Sequence, residues 1–75
     1  MKADEFALLQ ALAKERLKPP TSRLQPSHVA AKLRMHLNRL NYILSKWANK
    51  GWWAGWMTME GMDKAADYAR EKVKT

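Results

Sequence analysis

The sequence predicts a mainly α domain: three helices, a very short β-hairpin, then a closing helix. Three observations carry this. Apolar residues recur every three to four positions in separate blocks, the period of a helix with one buried face. Prolines and a glycine stand between those blocks, at Pro19-Pro20, Pro26 and Gly51. The only stretch with alternating bulk is Trp52-Trp53-Ala54-Gly55-Trp56-Met57, long enough for no more than a stunted hairpin.

The first helix is expected over Ala3–Leu17. Asp4 and Glu5 suit the positive end of its dipole, and Phe6, Leu9, Leu12, Ala13 and Leu17 give it one apolar face. Pro19-Pro20 ends it, and residues 18–25 read as an ordered, non-helical loop. The second helix starts at Pro26, whose missing N–H is harmless at a first helical position, and offers Val29, Ala30 and Leu33 to a core.

A turn at Arg34-Met35-His36 leads to the third helix, roughly Leu37 to Lys50, with Leu37, Leu40, Leu44 and Trp47 as its buried stripe. Gly51 suits a left-handed helix cap. In the hairpin, Trp53 and Trp56 would pair across strands, with Trp52 and Met57 on the other face. Thr58 is a good N-cap for the last helix, whose apolar side is Met62, Ala65, Ala66, Ala69 and Val73.

The same residues admit a different architecture. Leu33, Leu37, Leu40, Leu44 and Trp47 alternate four and three apart, and the turn between helices two and three holds no glycine. One continuous helix from Pro26 to Lys50, in a helical hairpin or coiled coil, would keep that heptad.

At 75 residues the chain is one small domain with a modest core, and a homodimer would help to complete it. It has no cysteine, which excludes a disulfide framework, a thiol nucleophile and a thiolate zinc site. His28 and His36 have no carboxylate near them in sequence, so no metal is expected; His28 reads as a surface or capping residue. There is no glycine-rich phosphate loop and no nucleophile–base–acid set. Asp63 and Asp67 alternate with Lys64 and Arg70 as a solvated face would. The expectation is therefore no enzyme, no cofactor and no small-molecule substrate. No run approaches the roughly 20 apolar residues of a membrane helix, and the acidic start does not resemble a signal peptide. A cytoplasmic protein without a membrane partner is expected.

Net charge is +7 and unevenly placed. From Arg16 to Thr58 the cations are Arg16, Lys18, Arg23, Lys32, Arg34, Arg39, Lys46 and Lys50, with no Asp or Glu among them. A polyanion is the simplest partner for so concentrated a field, although basic charge also serves solubility. If Leu40 faces the core, the 100° step per residue turns Asn38, Tyr42, Ser45 and Asn49 outward, with Arg39 and Lys46 on one flank and Asn41 on the other. Arg reads guanine and Asn reads adenine bidentately in the major groove, and Lys46 suits a phosphate. A plainly solvated helix face would more often mix Glu with Lys.

The order from Ser27 to Gly61 resembles the winged helix-turn-helix of small MarR-like bacterial and phage regulators. The short VAAKL segment matches the packed second helix, Leu37 to Tyr42 the N-terminal half of the recognition helix, and Leu44, Trp47, Gly51 and Trp52 its exit. Thr58-Met59-Glu60-Gly61 matches the segment after the wing. The resemblance implies sequence-specific binding of double-stranded DNA and a role in transcriptional regulation in a bacterium, phage or plasmid. Lys32, Arg34, His36, Asn38, Arg39, Asn41, Tyr42 and Lys46 would then touch DNA, and Lys18 and Arg23 would hold phosphates. The expected wing tip, Ala54-Gly55, lacks the basic residues that would enter a minor groove.

Four Trp in ten residues need a place. Trp47 and Trp52 are expected in the core. Trp53 and Trp56 could stack on a base or sugar, or anchor a protein partner, and the lack of Lys and Arg between them favours the partner. A rival reading of the whole chain follows from this: a protein–protein adaptor or inhibitor that binds through the Trp cluster.

Overall fold

The computed structural model describes residues 1–73, with side chains up to Glu71. Among these residues are four α-helices: α1 (Ala3–Leu17), α2 (Pro26–Lys32), α3 (Leu37–Asn49) and α4 (Met59–Val73). A single 3-10 turn spans Pro20–Ser22. α1 lies against both α2 and α4, and α2 against α3.

α1 stops because Lys18 is extended and Pro19 follows it. The next residues are pinned to its end. Arg23 donates from Nε to the Lys18 carbonyl at 2.9 Å and from Nη2 to the Arg16 carbonyl at 2.8 Å. Glu15 accepts the Leu24 N–H at 2.8 Å. The loop over 18–25 is thus ordered, as its prolines predict.

α2 and α3 are separate helices, so the continuous-helix alternative does not hold. Arg34 takes the left-handed conformation, with φ 57°. Its N–H donates to the Ala31 carbonyl at 3.1 Å, and Met35 N–H donates to Ala30 at 2.8 Å. That bond pair is the Schellman stop, which usually employs glycine. His36 then caps α3, its Nδ1 accepting the Asn38 N–H at 3.1 Å. α3 ends the same way: Gly51 has φ 82°, with bonds from Gly51 N–H to Ala48 and from Trp52 N–H to Trp47.

The fold is not the expected winged helix-turn-helix. No strand or sheet exists among the described residues; Trp53 and Met57 form one isolated antiparallel bridge, so there is no β-hairpin wing. Only residues 52–57 lie between Gly51, which stops α3, and Thr58, the cap of α4. Trp52 and Met57 at their two ends are drawn into the core, and the three residues between the bridge partners turn the chain, with Gly55 at φ 84°. Too little chain is left for a ladder. The mainly α class stands.

Thr58 is the cap expected of it. Its Oγ1 accepts the Gly61 N–H at 3.1 Å and donates to the Gly51 carbonyl at 2.6 Å. Gly61 is buried against the backbone of Trp52; a Cβ placed there would lie 2.4 Å from the Trp52 carbonyl oxygen. α4 therefore docks on the Trp52 segment backbone to backbone.

The core gathers Leu8, Leu9 and Leu12 of α1, Val29 and Ala30 of α2, Leu40, Ile43 and Trp47 of α3, then Trp52, Met57 and Ala65. Two expected stripes are rotated. On α3 the buried line is Leu40, Ile43, Trp47, while Leu44 is half-buried and Leu37 exposed. On α1, Leu8 is buried and Leu17 is exposed, at the point where the chain turns away from the helix. Val73, expected on the apolar side of α4, lies outside the residues whose side chains are described.

Candidate nucleic-acid interface

α3 presents its outward face as its periodicity predicts. Asn38, Asn41, Ser45 and Asn49 are exposed, and Tyr42 is 60% exposed. Lys32, Arg34 and His36 are exposed at the end where α2 turns into α3. Lys50 stands at the opposite end, its ammonium 4.8 Å from the centre of the Trp52 ring. That contact orients the cation without neutralising it. Six of the eight residues expected at DNA are therefore exposed.

The other two are placed differently. Arg39 is hydrogen-bonded to Asp4, from Nε at 2.9 Å and from Nη2 at 3.3 Å. Lys46 Nζ lies 2.7 Å from Glu5 Oε1, and Arg39 Nη2 lies 4.0 Å from that same oxygen. Glu5 is buried and its second oxygen accepts the Trp47 indole N–H at 3.4 Å. The Arg39 guanidinium holds the Asp4 carboxyl below its ordinary value, and Asp4 raises Arg39 in return. Both cations also approach the Tyr42 ring, Arg39 at 5.6 Å and Lys46 at 5.9 Å.

The flank of α3 expected to be most basic is thus a paired network. The sequence pattern missed Asp4 and Glu5, because acids in a first turn already have a sufficient explanation in the helix dipole. One signal was available: Glu5 falls one turn before Leu8 and Leu9, on the face that must be covered.

Trp53 and Trp56 do not form a cross-strand pair. Trp53 is half-buried against the core and Trp56 is 61% exposed. Beside them runs a groove of about 310 Å³, floored by Leu12, Leu24 and Met57 and flanked by Arg16 and Arg23. Arg16 Nη1 donates to the Met57 carbonyl, which fixes the groove's two walls together. Sequence distance hid this: the aromatic stretch has no basic residue within it, but the fold supplies two from α1 and the loop that follows.

No group of three or more His, Cys, Asp or Glu among the described residues is placed to hold a metal ion. No helix among them is long and apolar enough to cross a membrane. Comparison of the chain with protein-family models, curated proteins and solved structures found no match.

Proposed function

We propose that this domain binds double-stranded DNA, with α3 in the major groove and a regulatory role through such binding. The observation that carries the reading is the outward surface of α3. It combines exposed Asn38, Asn41 and Tyr42 with Lys32 and Arg34 at one end and Lys50 at the other, while the acids that reach α3, Asp4 and Glu5, are engaged by Arg39 and Lys46 on one flank. Asn is suited to the adenine edge, and exposed Lys and Arg at the ends of such a helix suit phosphates. The abrupt turn at Arg34 supports this as well, since Leu37 and Asn38 in the first turn of α3 stay exposed after it. Specificity falls to few side chains, so a second copy or a partner is required to read more than a short half-site.

Arg39 and Lys46 take a different part from the one their types suggest. Two hydrogen bonds to Asp4 keep the Arg39 guanidinium on that carboxylate and off phosphate in the parent chain. Lys46 is held by a buried acid and stays.

Fluorescence anisotropy of a labelled duplex, titrated at several salt concentrations, tests the reading. With Lys32, Arg34 and Lys50 on phosphates, the log–log slope is expected near −3, at about 0.9 per phosphate. Arg34→Ala should make it shallower by about one unit. A folded sample that binds no duplex at ~50 mM salt overturns the proposal.

A further inference from the structure

We propose that the groove between the end of α1 and residues 53–57 docks an acidic segment of another protein. One apolar side chain of that segment would lie against Trp56 and the groove floor, and a neighbouring carboxylate would meet Arg16 and Arg23. This does not rest on the DNA-binding reading, which concerns α3.

The cations of this domain differ in whether a carboxylate faces them. Arg39 and Lys46 meet carboxylates, so their charge is largely cancelled. Arg16 and Arg23 instead meet backbone carbonyls: Arg16 that of Met57, and Arg23 those of Lys18 and Arg16. A carbonyl fixes a guanidinium in place but leaves its full positive charge. Each guanidinium has five N–H donors, so several remain for a ligand. Ordering these long side chains beforehand removes much of the entropic cost of using them. Glu15, the acid that lines the groove, already has both oxygens engaged, by Leu24 N–H and by Lys18.

The groove has the character of a peptide site. Its volume of about 310 Å³ accommodates a large side chain. Its floor is Leu12, Leu24 and Met57, which offer no side-chain hydrogen bond. An apolar side chain pressed on that floor needs no hydrogen-bond partner, whereas a nucleobase would find partners for its edge atoms only at the polar rim. Trp56, at 61% exposure, is the one tryptophan neither buried in the core nor packed against it, and Trp beside Arg is the composition of energetically dominant interface positions. Charge then selects the partner: two fixed guanidinium groups beside an apolar slot favour an aromatic or aliphatic residue flanked by Asp or Glu.

The test is an NMR titration of the full chain with three probes: the acidic peptide acetyl-DELFDE-amide, its neutral counterpart acetyl-NQLFNQ-amide, and a short oligothymidine. The acidic peptide should shift the Trp56 indole N–H and the Arg16 and Arg23 Nε–H signals, leaving the α3 amides of Asn38 to Asn49 in place. The neutral peptide should bind about tenfold more weakly or not at all, and Trp56→Ala should weaken the acidic peptide by a similar factor. Trp56→Ala removes an exposed ring, so its melting temperature should match that of the parent chain. Absence of shifts with the acidic peptide overturns the proposal. So does equal binding of the two peptides, or oligothymidine displacing the acidic peptide from the Trp56 signal. Duplex binding that maps to α3 is unaffected by either result, so failure here leaves the DNA proposal standing.

Discussion

The Trp47 indole N–H donates to Glu5 Oε2 at 3.4 Å, tying the largest fully buried side chain of the core to a buried carboxylate on α1. The other Glu5 oxygen faces Lys46 at 2.7 Å. Glu5→Ala would leave a buried donor without an acceptor and is expected to cost about 1–3 kcal/mol. Glu5→Gln keeps an acceptor and should cost less. Urea midpoints of the two variants check the order; an unchanged midpoint for Glu5→Ala would show the bond carries no stability.

Gly61 sets two physical effects against each other. Helix propensity favours alanine over glycine by about 1 kcal/mol. The Cβ, however, would sit 2.4 Å from the Trp52 carbonyl oxygen and 3.0 Å from the Met57 side chain. Backbone cannot yield as a flexible side chain would, so the clash should win. Gly61→Ala is expected to destabilise by at least about 2 kcal/mol, seen as a lowered melting temperature. A stabilised variant would mean that α4 does not approach Trp52 this closely.

Ile43 and Leu44 are neighbours with opposite expectations. Ile43 is fully buried while Leu44 is half-buried. Ile43→Ala should cost about 2–5 kcal/mol and Leu44→Ala clearly less. Chemical denaturation of both decides it, and the reverse order would restore the stripe that sequence spacing alone suggests.

The Asp4–Arg39 pair bears on DNA affinity. Asp4→Asn removes a nearby negative charge and releases a guanidinium beside the outward face of α3. Duplex binding should strengthen and its salt slope steepen by about one unit. If affinity falls instead, Arg39 needs Asp4 to hold it in a productive position.

Acid should loosen the fold through Glu15 and Asp4. The Leu24 N–H, and then the Lys18 ammonium, hold the Glu15 carboxyl below its ordinary value of 4.5. Arg39 does the same for Asp4, whose ordinary value is 3.8. A carboxylate with a depressed folded-state pKa contributes its stability fully above its ordinary value and loses it as pH falls through the folded value. Stability should therefore decline below about pH 4.5, and Glu15→Gln should flatten that decline. Urea unfolding across this range measures it; equal pH dependence in variant and parent would deny Glu15 the role.

The elements were legible where a residue type has one strong backbone preference. Pro19-Pro20 and Pro26 place the limits of α1 and α2, Gly51 marks the left-handed stop of α3, and Thr58 caps α4. The stop at Arg34 uses the same bond pattern as Gly51, yet no residue type announced it. Tertiary packing of Met35 and the His36 cap outweigh the left-handed penalty of a non-glycine residue there. The wing failed because a hairpin needs chain length, and residues 52–57 spend their end residues on the core. The candidate site was half legible. Periodicity fixed which α3 residues point outward, but the acids that neutralise Arg39 and the arginines that flank Trp56 come from α1 and its following loop. Such long-range pairings leave no periodic trace in a single sequence.

The docking of α1 on α4 also bears on when the chain can finish folding during synthesis. Gln10 donates to the Ala65 carbonyl at 2.6 Å, and Arg16 to that of Met57. Both acceptors are translated after α2 and α3, whose own contact is local. The α2–α3 pair can thus form early on the ribosome, while α1 waits with part of its apolar face uncovered until Met57 and then α4 emerge. Truncation before α4 would strand that face, and a nascent chain paused there is the species most open to chaperone capture or proteolysis.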